Sequence, residues 1–161
     1  TSGHLLAVGQ RPPASLSAPD QKGATQSIAA QKGKPLVVYF YPKDMTPGCT
    51  VQAQGFRDAA ADFKKSKATV VGVSRDSCVS HAKFRDKEKL NFELLSDADE
   101  QLCKLFDVIH EKNMYGRKVL GVVRSTFLIS PDSRIVQEWR GVKVTGHADA
   151  VLDALKVASK Q

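Results

Sequence analysis

The chain of 161 residues has few aromatic residues, three cysteines and no long hydrophobic run. Its longest apolar stretch lies around Pro35 to Pro42 and is far shorter than the roughly 20 residues that a membrane-spanning helix needs. No internal repeat and no low-complexity segment is present. Hydrophobic residues make up 42% of the chain and charged residues 25%, which is typical of globular domains and excludes collagen-like or disordered chains. We therefore expect a single folded domain over residues 1–161.

The charge balance is positive, with 24 Lys and Arg against 17 Asp and Glu, or +7. A basic surface can attract nucleic acids. However, the basic residues are scattered: only Lys64, Lys65 and Lys67 are clustered, and no basic run alternates with aromatic residues. The charge therefore favours a solvated surface, and we predict neither a nucleic-acid partner nor a membrane partner.

The three cysteines are Cys49, Cys78 and Cys103. Their odd number argues against a disulfide framework, and they form neither a CxxC pair nor a zinc-finger spacing. The first ten residues have no basic region followed by a long apolar region, so we expect no signal peptide. The small, odd number of cysteines predicts a reducing, cytoplasmic compartment, where a cysteine is more often reactive than structural.

Hydrophobic periodicity predicts the order of the secondary structure. A small hairpin around residues 16–28 precedes alternating strands and helices, followed by a late antiparallel hairpin at the sheet edge and a last helix. The predicted strands are Leu36–Tyr41, Thr69–Ser74, Phe92–Leu95, Ser125–Ile129 and Ile135–Trp139. The predicted helices run from Thr46 to the lysine cluster, from near Ser77 to Leu90, from Leu102 to Ile109, and from Ala148 to Leu155. This order predicts an α/β fold, a thioredoxin-like three-layer α/β/α sandwich with a mixed central sheet and an N-terminal β-hairpin.

The segment Pro42-Lys43-Asp44-Met45-Thr46-Pro47-Gly48-Cys49 follows the most apolar strand and begins a helix. In such folds function lies at the carboxyl ends of the strands. Cys49 falls in the first helical turn, where free N–H groups and the helix dipole favour an anion, and the thiolate is the nucleophilic form of cysteine. The plain alternative is an inert buried cysteine.

The spacing of Pro42, Thr46 and Cys49 resembles the peroxidatic motif of the peroxiredoxins. The preceding Val37-Val38-Tyr39-Phe40-Tyr41 and the later Arg124-Ser125-Thr126-Phe127-Leu128-Ile129 are also similar to that family. The most similar subgroup is the bacterioferritin comigratory protein, or peroxiredoxin Q. The resemblance extends from about Leu5 to Ala158, nearly the whole chain.

The resemblance implies a role for each motif residue. Cys49 would attack a hydroperoxide, and Arg124 would supply a permanent cation beside the thiolate and the peroxide. Thr46 would accept a hydrogen bond from the peroxide, and Pro42 would shield the site. Each has a plain alternative: Thr46 as a helix N-cap, Pro42 as the end of a strand, and Arg124 as a surface residue. No metal, haem, flavin or other cofactor is implied.

The chain departs from the family where a second, resolving cysteine is expected. Two positions are common, and here they hold Gln54 and Arg85. Three routes remain open: Cys78 resolves, Cys103 resolves, or an external thiol attacks the sulfenic acid. Cys78 is the preferred candidate, because it follows a parallel strand and so lies on the same rim as Cys49, whereas Cys103 lies on an apolar helical face.

Gly55 lies inside the first helix, where glycine costs about 1 kcal/mol relative to alanine. It either weakens a turn that must unwind or allows close packing. Two histidines, His81 and His147, are expected at exposed polar positions, and Trp139 is expected to pack on the sheet.

The sequence thus predicts a thiol peroxidase that reduces hydrogen peroxide and organic hydroperoxides through Cys49. Thioredoxin or a similar thiol would supply the electrons, and the subgroup suggests a monomer. A general dithiol oxidoreductase is the second enzyme hypothesis, but it lacks a CxxC motif. A redox-switch binding or chaperone-like protein is the non-enzymatic alternative, and the frame of Pro42, Thr46 and Arg124 favours the peroxidase over it.

Overall fold

The computed structural model describes residues 17–20, 22–27, 35–42, 44, 46–65, 68–106, 108–114, 116–129, 134–140 and 147–159. The strands are β1 Ser17–Pro19, β2 Thr25–Ser27, β3 Leu36–Phe40, β4 Thr69–Ser74, β5 Glu93–Ser96, β6 Ile109–Met114, β7 Arg117–Val122, β8 Ser125–Ile129 and β9 Ile135–Arg140. The helices are α1 Pro47–Asp58, α2 Ala60–Lys65, α3 Cys78–Glu88, α4 Gln101–Leu105 and α5 His147–Ser159. Within this part of the chain, no helix is both long and apolar enough to cross a membrane.

The central sheet has five strands in the order β5-β4-β3-β8-β9. Strands β3, β4 and β5 are parallel, whereas β8 is antiparallel to both β3 and β9. The mixed sheet, the thioredoxin-like α/β class and the N-terminal hairpin of β1 and β2 are confirmed. The expectation that both strands of the late hairpin lie at the edge is wrong for β8, which pairs with β3 in the interior.

The two faces of the sheet are covered by different apolar clusters because successive side chains of a strand point in opposite directions. In β3, Leu36, Val38 and Phe40 belong to the cluster that contains α4, whereas Val37 and Tyr39 belong to the cluster that contains α1, α2, α3 and α5. We call the first the α4 face and the second the α1 face. This division decides which cysteines can meet.

The helix predicted from Thr46 to the lysine cluster is interrupted at Ala59, which separates α1 from α2. Ala59 adopts a turn conformation with φ −88° and ψ 2°, although its N–H still bonds to Gly55. The apolar spacing continues from Phe56 to Phe63 on both sides of the turn, and both side chains are buried. Periodicity alone therefore could not locate the break.

The segment after α4 also differs from the prediction. Ile109 was expected to complete a helical stripe, but α4 ends at Leu105 and Ile109 begins strand β6. No strand is predicted between Ile109 and Ser125, but this part of the chain contains an antiparallel hairpin of β6 and β7, in which Ile109 pairs with Val122. Gly116 at its turn has φ +79°, a conformation that glycine adopts without strain.

Candidate active site

Cys49 is the third residue of α1, and only 1% of its surface is exposed. Thr46 precedes the helix in an extended conformation, its carbonyl accepts the first helical hydrogen bond from the Thr50 N–H at 2.9 Å, and Pro47 occupies the first turn. No acidic residue lies in that turn. Cys49 therefore lies among the free N–H groups at the positive end of the helix dipole, which favour a thiolate.

The topology explains why Arg124 meets this helix from 75 positions along the chain. Because β8 runs antiparallel to β3, Ser125 pairs with Phe40, and Arg124 lies beside the carboxyl end of β3, where the segment toward Cys49 begins. Its guanidinium Nη1 donates to the Gln52 Oε1 at 2.6 Å.

Gly48 makes room for this guanidinium. A Cβ atom at that position would lie 3.0 Å from Nη2 of Arg124, closer than side chains normally pack. The Arg124 guanidinium is thus held between Gly48, which precedes Cys49, and Gln52, which follows Cys49 by one helical turn. Gln52 is 3% exposed and was missed by the sequence analysis, although its spacing of three from Cys49 places both on one helix face.

The phenol of Tyr39 lies within electrostatic range of the same groups. Burial raises the pKa of Tyr39 well above its usual value, the negative charges of Cys49 and Asp44 raise it further, and Arg124 lowers it. Among the described residues its hydroxyl has no hydrogen-bond partner. Cys49 and Arg124 therefore act on one buried group, as expected for residues of one site.

Pro42 and Thr46 are half-buried, on the segment that joins β3 to α1. Thr46 occupies the N-cap position, but its side chain makes no capping hydrogen bond. Thr46 therefore has the backbone position of an N-cap, but its hydroxyl group does not cap the helix.

Cys78 begins α3, and it is half-buried. The preceding Ser77 caps the helix by accepting a hydrogen bond from the Ser80 N–H at 3.1 Å. Strands β3 and β4 are parallel, so α1 and α3 both begin beyond the same rim of the sheet. Cys49 and Cys78 thus occupy helix starts on the α1 face.

Cys103 lies in the core of the α4 face with no exposed surface, as expected for a core residue. Burial raises the pKa of the Cys103 thiol far above its ordinary value, and the adjacent Asp97 carboxylate raises it further. The same carboxylate accepts from the Cys103 N–H at 2.7 Å and from the Leu102 N–H at 3.0 Å. Cys103 is therefore held as a neutral thiol.

The two histidines are buried, which corrects the expectation of exposed positions. His81 is 0% exposed and lies 2.7 Å from the Asp44 carboxylate. His147 contacts the Thr126 Oγ1 at 2.7 Å and packs edge-to-face on Trp139. Burial, and secondarily Arg124, lowers the pKa of His147 to about 4. The polar partners Asp44 and Thr126 are 37 and 21 positions away, so local sequence gave no sign of these two contacts.

The whole chain has relatives among known proteins. The sequence profile of the AhpC/TSA family matches residues 8–138. The chain is 54% identical to Peroxiredoxin Bcp of Xanthomonas campestris over 157 residues, which are 96% of this chain and 98% of that protein. It is 43% identical to Peroxiredoxin Bcp of Bacillus subtilis over 156 residues, 97% of this chain and 99% of that one.

Solved structures give the same result. A structure of the X. campestris bacterioferritin comigratory protein, from work on its alkyl peroxide reduction activity, has a TM-score of 0.89 and 51% identity. It matches 94% of this chain and 98% of that protein. A PrxQ variant from Xylella fastidiosa has a TM-score of 0.92 and 42% identity over 98% and 99% of the two chains.

The chain belongs to the AhpC/TSA family, with the thioredoxin-like fold of its peroxiredoxins. It is a thiol-dependent peroxidase of the kind expected from the motif. Its substrates are peroxides, and its reductant is a thiol.

Proposed function

We propose that Cys49 is the peroxidatic cysteine. Its thiolate sulfur attacks the terminal oxygen of the hydroperoxide, so that an S–O bond forms while the O–O bond breaks. The peroxide is reduced to an alcohol or water, once the leaving oxygen takes up a proton, and Cys49 is oxidised to sulfenic acid. The observation that supports this assignment is the position of the Arg124 guanidinium. It packs against Gly48, the residue before Cys49, and donates a hydrogen bond to Gln52, three residues after Cys49.

Arg124, Thr46 and Pro42 complete the proposed site. Arg124 offers a fixed cation and hydrogen-bond donors to the charge that develops as the O–O bond breaks. The Thr46 hydroxyl accepts from the peroxide O–H. Pro42 has no N–H to donate and shields the site from water. Its half-buried position where β3 meets the Cys49 segment is compatible with that role.

For the second half of the cycle we propose Cys78 as the resolving thiol. Its sulfur attacks the sulfenic sulfur of Cys49, water leaves, and a disulfide forms. Two observations favour Cys78 over Cys103: α3, which begins at Cys78, packs through Phe84 in the same cluster as Cys49, and Cys103 is a neutral thiol across the sheet. A disulfide needs Cα atoms within about 7 Å, and in this proposal the first turn of α1 unwinds to bring Cys49 to Cys78.

The proposed reductant is thioredoxin or another small dithiol protein, which returns the disulfide to two thiols. The enzyme acts as a monomer on hydrogen peroxide and organic hydroperoxides. We place it in the cytoplasm, a reducing compartment in keeping with three free cysteines.

Mass mapping after one equivalent of peroxide tests both assignments, using the wild type and the variants Cys49→Ser, Cys78→Ser and Cys103→Ser. We expect a Cys49–Cys78 disulfide in the wild type and in Cys103→Ser, and sulfenic or sulfinic Cys49 in Cys78→Ser. If the wild type forms no internal disulfide, the resolving thiol is an external one and not Cys78. Peroxide consumption by Cys49→Ser at the wild-type rate would refute the central assignment.

A further inference from the structure

A buried polar cluster joins the segment before Cys49 to the first turn of α3. Its centre is Asp44, 5% exposed, two residues after Pro42. One carboxylate oxygen accepts from the Tyr41 hydroxyl at 2.6 Å. The other accepts from the Ser80 hydroxyl at 2.8 Å and lies 2.7 Å from Nδ1 of His81.

Hydrogen-bond chemistry defines the His81 contacts. Its Nε2 lies 2.8 Å from the carbonyl oxygen of Leu95, which only accepts, so Nε2 carries a proton and donates. At Nδ1 the ring faces the carboxylate of Asp44 at 2.7 Å. Because neither side chain is accessible to water, removing one partner leaves a buried group uncompensated.

The main chain of Asp44 is held as well. Its N–H donates to the Asp76 carboxylate at 2.8 Å, and the same oxygen accepts from the Ser74 hydroxyl at 2.7 Å. Asp44 is therefore bonded through side chain and backbone to the end of β4 and the start of α3.

These contacts connect the two cysteine segments directly. Asp44 lies five residues before Cys49, and Ser80 and His81 lie two and three residues after Cys78. Cys49 is almost fully buried, so any thiol or reagent larger than a peroxide must wait for its turn to open. The cluster holds Asp44, on the segment immediately before that turn.

We propose that Asp44 and His81 are positioning residues that form a latch, holding Asp44, between Pro42 and Thr46, on α3 and setting how often the Cys49 turn opens. In the latched state Cys49 faces peroxide in its folded site. Release of the latch exposes Cys49 to a resolving thiol. The consequence for the cycle rests on the proposed roles of Cys49 and Cys78, whereas the latch itself does not.

The latch is tested without peroxide, by the rate at which a maleimide labels Cys49 in the reduced full chain, with peptide mass assigning the label. Asp44→Asn and His81→Gln should each accelerate labelling about tenfold to a hundredfold, as expected for loss of a hydrogen bond to a charged group. The double variant should label about as fast as either single variant, because both remove one interaction.

Two further variants separate the latch from general destabilisation. Ser80→Ala removes one hydroxyl donor and should accelerate labelling by about twofold to tenfold. Asp20→Asn is the matched control: this buried carboxylate accepts from the N–H groups of Lys22 and Ala24 in the N-terminal hairpin, remote from α3 along the chain. It should leave the labelling rate within about twofold. Unchanged labelling in Asp44→Asn and His81→Gln, or equal acceleration by Asp20→Asn, would overturn the latch.

A peroxide experiment then tests the consequence. At excess peroxide the latch variants should give more Cys49–Cys78 disulfide and less Cys49 sulfinic acid than the wild type. Faster labelling without any disulfide would uphold the latch and reject Cys78 as the resolving thiol. If labelling is faster but the fraction of Cys49–Cys78 disulfide equals that of the wild type, the role of the latch in the cycle is overturned.

Discussion

Cys49 and Cys103 are both almost fully buried, yet they lie on opposite faces of the sheet and have opposite electrostatic surroundings. Cys49 lies at the start of α1, with the Arg124 cation packed against its neighbour Gly48. Cys103 instead lies beside the Asp97 carboxylate, in the short helix α4.

Exposure therefore does not distinguish the proposed peroxidatic cysteine from the core cysteine in this protein. The sign of the neighbouring charge does, because a cation and a helix start favour the thiolate, whereas a carboxylate in an apolar core favours the thiol. Burial raises the pKa of Cys103 most, and the Asp97 carboxylate raises it further. The proposed site therefore lies on the α1 face, whereas Cys103 lies in the core of the α4 face.

Removing the cation should have the largest effect on this contrast. We expect Arg124→Ala to slow oxidation of Cys49 by peroxide by about 10- to 1000-fold, the range for loss of one transition-state donor. Stopped-flow measurement of the second-order rate constant checks this. Arg117→Ala, which removes an exposed arginine of β7, should leave the rate within about twofold. An unchanged rate in Arg124→Ala would show that Arg124 does not assist the reaction of Cys49 with peroxide.

His147 should make the α1 face sensitive to acid. Its pKa is about 4 in the folded protein against 6.5 ordinarily, so only the unfolded chain binds a proton between these values. Stability contributed by His147 is complete above about pH 6.5 and falls by about 3 kcal/mol as the pH approaches 4. Denaturant unfolding across this range should show a smaller loss for His147→Gln, and an identical loss would contradict the assignment.

Two glycines of α1 should respond differently to the same substitution. Gly48→Ala places a Cβ 3.0 Å from Arg124, so we expect the displaced cation to slow peroxide reduction about tenfold. Gly55→Ala meets only the Ala148 Cβ at 3.8 Å, an ordinary contact, and should stabilise the protein by about 1 kcal/mol at an unchanged peroxide rate. Equal rates in both variants would show that Gly48 is not needed to seat Arg124.

The parts of the fold that repeat an apolar period were predictable from the sequence. Strand β4 has the predicted bounds, and α5 contains the predicted stripe, because burial of one face imposes that spacing. The β6–β7 hairpin was not predicted, because β6 has four polar residues between Ile109 and Met114, and Ile109 itself fits the helical stripe of α4. Gly116 between its two strands was the available sign.

The candidate site divides in the same way. Cys49 and Thr46 were predictable because a local motif carries them, and Arg124 was found only through the family resemblance. Gln52 follows from helical spacing once Cys49 is chosen. The Asp44–His81 contact was not predictable, because the two residues are 37 positions apart and only the tertiary fold brings them together.

The most direct test of the account is to let the three cysteines of the chain compete for a limiting amount of peroxide. The reduced full chain receives less than one equivalent of hydrogen peroxide, and peptide mass spectrometry then gives the oxidised fraction of each cysteine. The account predicts that Cys49 takes the first oxidation and that Cys103 stays a thiol throughout. Oxidation of Cys103 before Cys49 would contradict the claim that the charge beside a buried cysteine decides its reactivity.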